Sequence, residues 1–213
     1  MSVGEGQTET YFELTAKFIQ RVLVINSSSR HMQDGIIVLR VLIAIFENLP
    51  GQVEAALPTL VGMLLAELKV AFEGTKPKNF KSMLLQTLAM ALYNSNATTL
   101  AIIEREQQTY AVFGSWLMFM DKFKLEFEIR RIIFGLLAIL RVPGAQMPSL
   151  VQQQLPQITK HIAALAARVY DQRLKTLTEN EKFLKKGFDS DEGEDGDDDG
   201  DDGFDDDEAE NEQ

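Results

Sequence analysis

Apolar residues in the first 186 positions recur at steps of three and four, segment after segment, with almost no strand-like alternation, so the chain can bury them only by stacking α-helices. In the first segment Tyr11, Leu14, Phe18, Val22 and Ile25 share one helical face, and Phe12, Ile19 and Val24 lie off it. The second, from about Arg30 to Asn48, contains IIVLRVLIAIF and is apolar nearly all round apart from Arg40, which predicts an inner helix between layers. Pro50 and Gly51 end it, because proline cannot continue a helix and glycine accepts the turn. Further helices are expected over about 52–72, 80–93, 102–123 and 125–142. A seventh carries Ile158, Ile162, Leu165 and Val169 on one face, and Thr178 with Glu181 forms a candidate capping box for a short last helix.

The spacing of these segments points to a repeat. Helix pairs begin near residues 8, 53, 97 and 147, which is 45, 44 and 50 residues apart and close to the period of about 40–47 of HEAT and armadillo helix pairs. The ending VLIAIFENLPG from Val41 is echoed 93 residues later by FGLLAILRVPG from Phe134, and LPTLVGMLLAEL from Leu57 by LPQITKHIAALA from Leu155. The expected fold is all-α: a HEAT/armadillo-like solenoid of about seven to eight antiparallel helices over 1–186, then an acidic tail over 187–213.

Charge divides the chain at the same place. Of 32 acidic residues, 16 lie between Asp189 and Glu212, whereas all 21 Lys and Arg lie at or before Lys186, so a body of +5 carries a tail of −16. A like-charged block with few apolar residues cannot offset its chain entropy by burial, so disorder is expected there. Its field favours basic proteins and repels nucleic acid. The candidate residues for binding basic proteins, which would be cargo in a transport protein, are therefore Asp189, Asp191, Glu192, Glu194, Asp195, Asp197, Asp198, Asp199, Asp201, Asp202, Asp205, Asp206, Asp207 and Glu208. A purely solubilising tail, or one folded back on the basic body, is the plainer alternative.

Several chemistries lack their residues. The chain has no cysteine, which removes disulfides, thiolate metal sites and a cysteine nucleophile together. His31 and His161 lie in different repeats without ligand spacing, and neither a Walker loop nor a GxGxxG or GxSxG pattern occurs, so no metal, no cofactor and no enzymatic activity is expected. The first residues lack the basic and apolar segments of a secretory signal, and polar residues interrupt the longest uncharged stretch, so no membrane insertion is expected. Without that signal the sequon at Asn96 and Thr98 is discounted. Trp116 sits on an apolar stripe and reads as core, Lys76, Lys78 and Lys81 as a solvated loop, and Arg130 and Arg131 as the wet face of an apolar helix.

From about Lys76 to Tyr170 the order FKSMLLQTLAMALYNSN, GSWLMFMDKF, EIRRIIFGLLAIL and PSLVQQQLPQITKHIAALAARVY, followed by the acid run, resembles the C-terminal HEAT repeats of importin-7 and importin-8 type β-karyopherins. This resemblance implies a nuclear transport receptor that moves between cytoplasm and nucleus through the pore and carries basic cargo such as histones and ribosomal proteins. It also implies a C-terminal portion, in which Ran-GTP and nucleoporins are engaged only through the larger receptor. A non-transport scaffold or histone-chaperone-like acidic module is the alternative that the same features admit.

Overall fold

A computed structural model of the protein describes residues 11–25, 32–49 and 51–189. These form eight α-helices: α1 (Tyr11–Ile25), α2 (Met32–Asn48), α3 (Leu57–Glu73), α4 (Lys78–Asn94), α5 (Asn96–Arg105), α6 (Thr109–Phe119), α7 (Glu126–Leu140) and α8 (Ser149–Asp189). Two 3-10 turns, Met120–Lys122 and Gly144–Gln146, complete the elements, and no strand occurs among the described residues. The all-α class read from the periodicity is therefore observed. The chain divides into two units, Met1–Gln172 and Arg173–Gln213.

Local chemistry sets the helix ends. Proline in the first turn starts α3, and an extended Pro77 precedes α4. Gly51 has φ +74 in the turn after α2, a left-handed conformation that a side chain would strain. The Glu128 carboxylate accepts the backbone N–H groups of Lys124 and Leu125 at 3.0 and 3.1 Å, satisfying donors that the start of α7 leaves open.

In the first unit α4 packs against α2, α3, α5 and α7. Every residue from Ser82 to Leu92 is buried. Ser82 lies by Glu128 near the start of α7, whereas Asn96, just past α4, reaches Ala138 near its end, so α4 and α7 run in the same direction. Thr87 beside Leu39 and Asn94 beside Phe46 align α2 with them. The three helices begin at Met32, Lys78 and Glu126, 46 and then 48 residues apart. Large core side chains such as Phe46, Phe80, Phe123 and Trp116 each contribute about 1.5–3 kcal/mol by burial.

The helices depart from the sequence-based expectations at four places. In α1 the face turned inward carries Ile19, only 1% exposed, and Val22, while Leu14 and Phe18 are 48% and 62% exposed. Ile19 and Val22 are themselves three apart, so spacing alone admitted either stripe. Helix α2 is not buried all round, for Ile37, Val41 and Arg40 are exposed, and the inner position belongs to α4. Ser82, Gln86 and Thr87 made α4 look less apolar than α2, but their polar groups are bonded within the fold.

The segment 102–123 is two helices rather than one. Gln107 at φ 55 breaks it, in the polar stretch from Glu104 to Gln108 that supplies no core anchor. Near the C-terminus Thr178 does not cap a new helix. Helix α8 continues through it, and its hydroxyl donates to the Leu174 carbonyl at 2.8 Å, a bond made inside a helix.

Gly135 marks the closest approach in the core. A Cβ there would lie 2.7 Å from the Ala89 Cα, a distance that only displacement of α4 or α7 could relieve. Gly135→Ala is expected to destabilise the protein by about 1–3 kcal/mol. Gly62→Ala, inside α3 where the added methyl meets open space, is expected to stabilise it by about 0.5–1 kcal/mol. Denaturant melts of both variants check this, and equal stabilities would contradict the packing.

Candidate functional site

Two regions are candidates for a functional site: the acidic segment singled out above and the outer face of the α2, α4 and α7 layer. Asp189 is the last residue of α8. Asp191, Glu192, Glu194, Asp195, Asp197, Asp198, Asp199, Asp201, Asp202, Asp205, Asp206, Asp207 and Glu208 lie outside the described residues.

The three-helix face is built on a buried glutamine. Gln86 is fully enclosed in α4, and its amide nitrogen donates to Ser82 Oγ at 3.1 Å and to Glu128 Oε1 at 3.2 Å. Its Oε1 accepts from an Nη of Arg131 on α7 at 3.3 Å, and Arg131 Nε donates to Glu47 Oε1 on α2 at 2.9 Å. A half-buried guanidinium thus joins helices whose residues are 84 apart, passing over α4. It also lies 5.4 Å from the centre of the Phe127 ring. Charge-assisted bonds and ring contact on the same side chain hold it in one orientation.

Beside this seam is a groove of about 200 Å³ lined by Glu47, Phe127, Arg130, Arg131 and Phe134. Phe127 and Phe134 are 49% and 39% exposed. Tyr93, half exposed on α4, sets its ring 5.5 Å from that of Phe134. Arg130 pairs with Glu126 one turn away at 3.8 Å, an exposed contact worth little. Of the two arginines expected on a wet face, Arg130 is there, whereas Arg131 is part of the seam. Phe127, Phe134 and Glu47 were missed by sequence reasoning. Phe127 and Phe134, seven residues apart on the α7 side opposite Ile132 and Leu136, are the signal that could have found the face.

The remaining residues singled out above fall elsewhere. Trp116 is in the core, its ring 6.0 Å from that of Phe113. His161 shares a 3.0 Å hydrogen bond with Gln157, and His31 lies outside the described residues. The Asn96 amide donates to the Ala138 carbonyl at 2.9 Å. Lys76 and Lys81 lie 5.9 and 5.3 Å from the Phe80 and Phe72 ring centres, so part of the expected solvated loop is packed on aromatics, while Lys78 is exposed. Among the described residues no three His, Asp or Glu side chains converge as metal ligands, and no helix is long and apolar enough to cross a membrane. No family model, curated protein or solved structure matches the chain.

Near the lysine loop, burial lifts the Glu67 carboxyl above its ordinary value, and the Lys76 charge partly opposes the lift. The unfolded chain releases this proton near pH 4.5, while the folded chain keeps it to higher pH. Between those two values the folded state binds more protons, so this residue's contribution to stability falls as pH rises and stays lower above the window. Glu67→Gln removes the ionisation. Thermal melts are expected to show a higher Tm than the parent at pH 7 and a smaller difference at pH 4. An equal or lower Tm at pH 7 would contradict this assignment.

Proposed function

We propose that the chain is a scaffold segment of a nuclear transport receptor of the importin-β type, a HEAT-like repeat of helix pairs whose acidic tail engages basic cargo such as histones or ribosomal proteins. The observation that carries the repeat reading is a recurring separation in the hydrogen bonds between helices. Asn94 to Phe46, Ser82 to Glu128, Gln86 to Arg131, Arg168 to Met120 and Gln172 to Lys124 all join residues 45–48 apart. One helix pair set against the next at a constant offset gives this pattern, and it is the physical basis of a solenoid.

Cargo binding rests on charge. Sixteen carboxylates in 24 residues, from Asp189 to Glu212, concentrate negative potential within a Debye length of about 8 Å, which speeds encounter with basic proteins more than it tightens the final complex. The transport assignment adds the resemblance over Lys76–Tyr170. In that reading the segment binds rather than catalyses, and Ran-GTP and nucleoporins act through the larger receptor in cytoplasm, nucleus and pore.

The test is a titration of a linker histone with the full chain and with a version ending at Lys186, at low and moderate salt. Only the full chain is expected to bind, with affinity falling steeply as salt rises, while helix content and melting of the two versions stay nearly equal. Equal binding by both versions would move recognition to the helical surface. Binding by neither would leave the tail a solubiliser and contradict the cargo reading. Capture of phenylalanine-glycine repeat peptides by the helical part favours the transport receptor over a chaperone-like acidic module.

A further inference from the structure

The groove between α2 and α7 has a chemistry opposite to that of the tail. Scattered exposed apolar residues are ordinary, but here three aromatic rings and two guanidiniums adjoin: Tyr93 against Phe134, Phe127 against Arg131, and Arg130 between them on α7. A few residues carry most of the energy at protein interfaces, and aromatic and arginine side chains are enriched among interface residues. Arg131 is already immobilised by Glu47 and Gln86, so little side-chain freedom remains to be lost when a ligand arrives.

Charge selects the ligand. Among the described residues the one carboxylate lining the groove, Glu47, is engaged by Arg131 Nε, while Gln86 takes an Nη of the same guanidinium. A guanidinium carries five donors, so Arg131 keeps capacity for an acceptor in the groove. Among the described residues Arg130 pairs with Glu126 at an exposed 3.8 Å, a contact that an incoming carboxylate can replace at small cost. Arg40, seven residues before Glu47 on α2, and Arg141, just past the end of α7, are exposed. A basic ligand meets repulsion from these groups, and a purely apolar one strips water from the arginines without pairing them. RNA would set a phosphate charge at every nucleotide against Glu47 in the groove, whereas a short acidic peptide can place its few carboxylates on the arginines.

We propose that this groove binds an acidic peptide segment of a partner protein, with an aromatic or large aliphatic side chain set between Phe127 and Phe134 and its carboxylates on Arg130 and Arg131. This surface is separate from the cargo-binding role proposed for the tail and stands or falls without it.

Fluorescence anisotropy on the full chain at about 0.15 M salt, where charge effects reach only about 8 Å, tests it. The probes are a labelled peptide alternating glutamate with phenylalanine, its lysine-for-glutamate counterpart, its alanine-for-phenylalanine counterpart and a single-stranded RNA. The acidic aromatic peptide is expected to bind at least about tenfold more tightly than the other three, a difference of about 1.4 kcal/mol. Arg130→Glu and Phe127→Ala alter groove residues outside the hydrogen-bonded Glu47, Gln86 and Arg131 seam. Each is expected to weaken binding about tenfold or more with little change in melting temperature. No binding of the acidic peptide, equal binding of the lysine peptide, tighter binding of RNA, or unchanged affinity in Arg130→Glu would each overturn the proposal.

Discussion

The burial of α4 between α2 and α7 is the constraint on which the rest of the first unit depends. A helix enclosed along eleven consecutive residues, Ser82 to Leu92, must satisfy each polar side chain it carries and must let its neighbours approach closely. Between Ser82 and Leu92 both conditions are met by particular residues, while the buried Oδ1 of Asn94 at the end of α4 has no partner among the described residues. Gly135 brings the α7 backbone against Ala89, and Gln86 spends its amide on Ser82, Glu128 and Arg131. Breaking either leaves a clash or an unpaired buried dipole at the centre of the fold. An unpaired dipole of that kind costs about 1–3 kcal/mol.

A second device ties the helix ends. Carbonyls near the end of α2 accept from Asn94, the Ala138 carbonyl near the end of α7 accepts from Asn96, and carbonyls after α6 accept from Arg168 and Gln172. Each donor belongs to a segment 42–48 residues away, so the groups that a helix terminus leaves open are closed by another part of the chain. The same offset that aligns the helices therefore also supplies their caps. It also places Glu47, Gln86 and Arg131 in one seam, from which the groove follows: the arginine that bridges α2 and α7 is also its floor.

Much of this was legible in the residues. The three- and four-residue spacing and the Pro50–Gly51 breaker report the all-α class and most of the helices, because burial and backbone geometry act locally. The inward face of α1 was not, since Ile19 and Phe18 are equally apolar and only the partner helices choose between them. Nor was the rank of the helices by burial. Composition puts α2 inside, whereas the enclosed helix is the one whose glutamine, serine and threonine find partners up to 48 residues away. The groove depends on Arg131 meeting Glu47 across 84 residues, a pairing that no local pattern encodes.

Native-state hydrogen exchange on the full chain tests the central place of α4 most directly. If α4 is the strut that the other helices require, the amides of Leu84 to Leu92 exchange only through global unfolding and set the upper limit of protection, with α2 and α7 next and α1 well below. Exchange of those α4 amides as fast as the amides of α1, or by an opening that leaves α2 and α7 protected, would contradict it.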